Sequence, residues 1–132
     1  DPDLTEFVGH GGKVILWHGL ADYAISAYGT AAYYERVVDT VGGREQADEF
    51  VRFYMAPGVD HTAGGKGAPV ADLLGALDAW VEQGEAPGDL VAYRQQGPGL
   101  LPFRPLCRYP TYPRYKGSGD AGAPESFDCA QP

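Results

Sequence analysis

GGKVILWHGLAD, residues 11–22, sets a short apolar run directly before an acid. Val14, Ile15, Leu16 and Trp17 are continuous, without the alternation of a half-solvated strand. Such a run fits a strand covered on both faces, as in a parallel sheet. It breaks at His18-Gly19, and Asp22 follows. Open α/β sheets place their sites just beyond the carboxyl ends of their strands. Asp22 therefore has two readings, a turn or helix cap and a site carboxylate. A second stretch favours the site. Val51 to Met55 is another strand candidate, followed by Pro57-Gly58-Val59-Asp60-His61. Both stretches run strand, glycine turn, titratable side chain, so Asp22 and His61 are expected to meet at one sheet edge.

Around these two strands the chain reads as helices. Asp3 to Phe7 makes a helical turn with Leu4 and Phe7 on one face. Ser26 is positioned to cap a helix running to about Thr40, with an apolar stripe of Ala32, Tyr33, Arg36, Val37 and Val38. Gly42-Gly43 stops it, and the polar residues Gln46 to Glu49 lead into the second strand. After a loop with glycines at 58, 64, 65 and 67, a helix starts near Pro69. Its expected buried stripe is Leu73, Leu74, Leu77, Trp80 and Val81. Strand, helix, strand, helix is the pattern of a doubly wound α/β layer. Two strands are too few for a stable sheet, so this layer is expected to pair with strands of a longer parent or with a second copy.

The last forty residues differ. Seven of the 11 prolines lie in residues 94–132. Asp89 to Gln95 reads as one last strand, with little regular structure beyond it. Tyr109, Tyr112 and Tyr115 recur every third residue among Pro110 and Pro113, the repeat of polyproline II. The three rings are expected to line one side of an extended strap and pack it down. The only two cysteines, Cys107 and Cys129, also lie here. With no CxxC spacing and no adjacent histidine, zinc is poorly supported. A disulfide between them would stabilise this weakly structured segment by roughly 3 kcal/mol in the chain-entropy model and imply an oxidising compartment. The other reading is two unrelated buried thiols.

Composition bounds the partners. The 132 residues suffice for one domain with a core, and the net charge of −8 argues against a nucleic-acid surface. Residues 1–93 carry 5 basic and 15 acidic side chains, residues 94–132 carry 5 and 3, so the charge allows either a basic tail leaning on an acidic body or a solvated tail. No run approaches the roughly 20 apolar residues of a membrane helix. Asp1-Pro2-Asp3 is not an initiator and no leader pattern follows, which reads as an internal segment of something longer or as a processed or proteolysed product.

The chemistry suggested by Asp22 and His61 is that of the last two members of a Ser-Asp-His triad, which α/β-hydrolases present in the order Ser, acid, His. A carboxylate fixes the imidazole tautomer, the imidazole takes a serine proton, and backbone amides hold the oxyanion. No Gly-x-Ser-x-Gly occurs, and Ser26, Ser118 and Ser126 lie in unsuitable contexts, so the nucleophile is expected upstream of this chain. Asp60 is set aside as the acid because adjacent side chains in an extended turn point apart. His18 reads as a turn histidine with a satisfied ring and His10 as a surface residue. Asp39, Asp72 and Asp78 read as solvated helix faces. His18, Asp22 and His61 are donor types that suit zinc, but their spacing matches no metal motif. No cofactor is implied.

GGKVILWHGLADYAIS, VRFYMAPGVDHTAGG, DLLGALDAWVEQGEAP, PLCRYPTYPRYKGSGD and FDC together resemble the C-terminal portion of the tannase and feruloyl esterase family of α/β-hydrolases. The resemblance covers nearly the whole chain. It implies an α/β fold made of the C-terminal part of an α/β-hydrolase sheet, with an irregular Pro-rich, disulfide-stapled tail. Residues 1–93 would be the C-terminal portion of the catalytic domain. Residues 94–132 would be its last strand and an extended tail closed by Cys107–Cys129, a pairing the family shares. It implies a serine esterase acting on phenolic acid esters such as feruloyl or galloyl esters, secreted or periplasmic, with Asp22 as acid and His61 as base. The nucleophile and a lid domain would lie upstream, making that part of the parent this chain's partner, and the chain alone would be inactive. One departure stands out: the family usually has a cysteine directly after the histidine, bridged to the nucleophile's loop, and here that position is Thr62. The alternative reading is a non-catalytic α/β module that self-associates or binds a partner.

Overall fold

A computed structural model describes residues 1–132. Their order is α1 (Thr5–Gly9), β1 (Val14–Gly19), α2 (Ala27–Thr40), α3 (Arg44–Ala47), β2 (Val51–Ala56), α4 (Leu73–Gln83), β3 (Leu90–Gln96), β4 (Gly99–Leu106), β5 (Tyr112–Tyr115), a 3-10 turn (Pro124–Ser126) and β6 (Phe127–Ala130). β1 and β2 pair in parallel, in register from Val14 opposite Val51 to Gly19 opposite Ala56. The Val14 and Leu20 amides donate to Phe50 and Ala56, at 2.9 Å each. Backbone groups alternate along a strand, so the amides of Ile15, Trp17 and Gly19 face the other way, where no strand of this chain lies. The far edge of β2 is covered, because the Tyr109 amide donates to the Phe53 carbonyl at 2.8 Å. The sheet is therefore open on one side only, along β1.

Alternation along the two strands feeds two cores. Val51 and Phe53 join Ala31, Tyr34, Val37 and Val38 of α2, with Val14 and Leu16 packed against them. Tyr54 and Ala56 turn to the opposite face and meet Val59, Ala68, Ala92 and Leu106, with Ile15 and Trp17 alongside. The α2 stripe is thus displaced from the sequence expectation: Ala31 and Tyr34 are buried, whereas Ala32 and Arg36 are exposed. α4 departs further. It begins at Leu73 rather than near Pro69, and of its expected stripe only Trp80 is buried, while Leu74 and Val81 are exposed. Asp72 is solvated as read but precedes α4 as its cap, its carboxylate accepting from the Gly75 amide at 2.9 Å. Ser26 precedes α2 but makes no capping hydrogen bond. The polar stretch before β2 contains the short helix α3. β1 itself is half-buried rather than covered on both faces, because nothing in this chain flanks its outer edge.

Beyond Gln95 the expectation of little regular structure fails. β3 and β4 form an antiparallel hairpin from Leu90 opposite Leu106 to Gln96 opposite Gly99, and β5 pairs with β6. Gly97, at φ +56°, fills the first central position of a two-residue turn whose second is Pro98, the pattern that joins twisted strands tightly. Pro102 and Pro105 are accommodated because β4 has neighbouring strand on one side only, and a register shift falls between Ala92 and Tyr93. The Cys107–Cys129 disulfide, with Cα atoms 5.5 Å apart, ties the end of β4 to β6. The three tyrosines do not line one side. Tyr109 packs with Tyr34 and Phe53, ring centroids 5.7 and 5.0 Å away. Tyr112 and Tyr115 stay partly exposed on β5.

Candidate functional site

Asp22 and His61 sit just past the carboxyl ends of β1 and β2, which the register holds level. The loops that follow are stitched together: the Ala21 amide donates to the Val59 carbonyl at 3.0 Å. Gly19 makes this approach feasible, since a Cβ there would lie 2.5 Å from the Val59 oxygen. The Asp22 carboxylate turns back into this junction. Its Oδ1 accepts from the amides of Ala24 and Ile25 at 2.8 and 2.9 Å. Its Oδ2 lies 3.0 Å from His61 Nδ1. The acid side chain is 8% exposed and the imidazole 44% exposed. The pairing expected from sequence is present.

The electrostatics follow from these contacts. The Ile25 amide, then His61 and the Ala24 amide, hold the Asp22 carboxyl well below the usual carboxylate range, against the opposing pull of burial. An ionised acid beside Nδ1 favours the tautomer with hydrogen on Nδ1, which leaves the Nε2 lone pair free. Nε2 has no partner within the chain, and the Tyr23 ring stands edge-on to the imidazole, centroids 6.3 Å apart. A buried anion, a fixed imidazole and an accessible nitrogen are the parts a general base needs.

Two neighbours carry more than their sequence reading. His18 is not in a turn; it belongs to β1, with Nε2 3.2 Å from Asp22 Oδ2 and Nδ1 2.7 Å from Thr30 Oγ1. Asp60, set aside as an acid, shapes the base's own loop. Its Oδ1 accepts from the Thr62 amide at 2.9 Å, the Thr62 hydroxyl at 2.8 Å and the Gly64 amide at 2.9 Å. The Thr62 hydroxyl, then the two amides, lower the Asp60 pKa. The signal for this was the spacing Asp-x-Thr-x-Gly, a short acceptor followed by two donors within four residues. His10 is exposed, as read. Asp89, Cys107 and Cys129 also converge, but both sulfurs are committed to the disulfide and the Asp89 carboxylate accepts from the Arg108 amide.

Residues 1–130 match the family model described as tannase and feruloyl esterase. The chain is 46% identical to mono(2-hydroxyethyl) terephthalate hydrolase of Piscinibacter sakaiensis over 98% of its length, and 42% identical to a probable feruloyl esterase of Arthroderma benhamiae over 99%. It spans only 22% and 25% of those two relatives. Among solved structures it superposes on an esterase from Aspergillus oryzae with a TM-score of 0.87 at 33% identity, covering 98% of this chain and 29% of the other.

Proposed function

The chain belongs to the tannase and feruloyl esterase family, and on that premise we propose that it is the acid-and-base segment of a serine esterase for aromatic esters. Asp22 orients and compensates His61, and His61 is the general base. Residues 1–93 form the C-terminal portion of the α/β-hydrolase catalytic domain, and residues 94–132 complete it with the end of β3, its partner β4 and the disulfide-tied β5–β6 pair. The nucleophilic serine and the oxyanion amides come from a part of the enzyme outside these residues. The open edge of β1 is where that part joins the sheet. Secretion or export accords with the disulfide.

In this reading His61 Nε2 takes the serine proton as the hydroxyl attacks the ester carbonyl. The imidazolium formed is held by Asp22, and its proton passes to the departing alcohol. A water, deprotonated by the same nitrogen, then releases the acid. The substrate class is an ester with an aromatic acyl group, feruloyl or galloyl esters being the first choices. The relatives' names share this chemistry, since ferulate and terephthalate both carry an aromatic ring conjugated with the acyl carbonyl.

The observation that carries the proposal is the 3.0 Å contact between a buried carboxylate and an accessible imidazole 39 residues away. The test is hydrolysis of a chromogenic phenolic ester by the full-length enzyme and by its Asp22→Asn and His61→Ala forms. Each substitution is expected to lower kcat by several powers of ten, as in other triads. A full-length enzyme that keeps its rate with both substitutions would make the chain a non-catalytic module instead.

A further inference from the structure

Asp22 Oδ2 faces two imidazoles, and only one has an exposed nitrogen to offer a substrate. We propose that the other, His18, is a positioning residue that fixes the plane of the Asp22 carboxylate, and that Thr30 sets the tautomer in which it does so. The proposal rests on the Asp22–His61 reading and extends it.

His18 Nε2 lies 3.2 Å from Asp22 Oδ2 and 3.3 Å from the Ile25 carbonyl. Both are acceptors, so Nε2 carries the hydrogen. Nδ1, 2.7 Å from the Thr30 hydroxyl, is then free to accept from it. A neutral imidazole with hydrogen on Nε2 satisfies every contact at once. Thr30 lies in the first turn of α2, and His18 is the penultimate residue of β1, so two regular elements rather than a loop hold the ring. The His18 side chain is only 12% exposed.

The consequence concerns the acid. The Ala24 and Ile25 amides hold Oδ1 from one side. His18 holds Oδ2 from β1. With both oxygens fixed, the carboxylate presents His61 Nδ1 with an acceptor whose direction is set before substrate arrives. Small displacements in such a constellation are costly, since about 1 Å of misplacement is worth roughly 10²-fold in rate. The titratable groups facing His18 are Asp22, with His61 beyond it on the same oxygen; α2 contributes only the Thr30 hydroxyl.

The test uses the full-length enzyme and a chromogenic phenolic ester, with Asp22→Asn and His61→Ala run in parallel. His18→Ala is expected to lower kcat about 10²-fold with KM changed less than about twofold. Thr30→Val, which keeps the side-chain shape and removes the hydroxyl, is expected to lower kcat about fivefold, the worth of one neutral hydrogen bond. Thr30→Ser is expected to restore the rate. Nitrogen-15 NMR of the imidazoles is expected to show His18 with hydrogen on Nε2, and a tautomer mixture in Thr30→Val. Wild-type rates in His18→Ala and Thr30→Val, beside inactive Asp22→Asn and His61→Ala, would overturn the role of His18 alone. A His18 carrying hydrogen on Nδ1 would do the same even if His18→Ala failed to fold. Retained activity in Asp22→Asn and His61→Ala would instead remove the esterase reading beneath it.

Discussion

At Asp22 one side chain answers four donors, and its ionisation is therefore coupled to folding. Its pKa is lowered by the Ile25 amide first, with His61 and the Ala24 amide adding to it. A carboxylate with a depressed folded-state pKa contributes stability above the ordinary aspartate value of about 4, and loses it as pH falls through the lower folded value. The difference in stability between wild type and Asp22→Asn should therefore shrink as pH falls below about 4. Denaturant unfolding at a series of pH values checks this, and a difference that grows below about pH 4 contradicts it. Asp22 and His61 were legible in the sequence because each follows a strand and a glycine turn. His18 and Asp60 were not legible as partners. Which atoms a carboxylate reaches depends on turn geometry and on α2, and residue spacing specifies neither.

At the level of elements, the site exists because two parallel strands end level and their loops touch. Gly19 carries that contact, so Gly19→Ala tests it. The added Cβ would press on the Val59 carbonyl, a backbone atom that can yield only by moving the base's loop. The expected result is a loss of activity larger than the loss of stability, the latter about 1–3 kcal/mol, the usual cost of overpacking. Unchanged kcat with normal folding would show that the loop junction does not position the base. The antiparallel pairs β3–β4 and β5–β6 make a separate prediction. The Cys107–Cys129 bond spans 22 residues of sequence and joins β4 to β6. Cys107→Ser with Cys129→Ser should lower stability by about 3 kcal/mol, read as a lower unfolding midpoint, while the Asp22–His61 pair stays intact. The strand, helix, strand, helix order was readable from apolar runs and helical spacing. The hairpins were hidden because prolines usually argue against strands. Here they sit in strands that each pair on one side only, where a missing amide is tolerated. The exposed face of α4 was misread for a related reason: an apolar stripe predicts burial, but Leu74 and Val81 have no partner within these residues.

The parallel sheet has one open edge along β1, an apolar cavity of about 140 Å³ lies between α1, α2 and the strands, and Nε2 of the base has no partner within its own chain. These features belong together if further strands and a nucleophile complete the enzyme along β1. Hydrogen exchange offers a check at this scale: the Ile15, Trp17 and Gly19 amides should exchange slowly in the full-length enzyme, and fast exchange there would deny the continuation of the sheet. The central claim is that Asp22 and His61 act as one unit on an aromatic ester. Its most direct test is the rate of the full-length enzyme carrying Asp22→Asn, His61→Ala and both together. Groups that work as a unit are strongly non-additive, so the double variant should be about as slow as His61→Ala alone. Losses that multiply, or a double variant that retains the wild-type rate, would contradict the account.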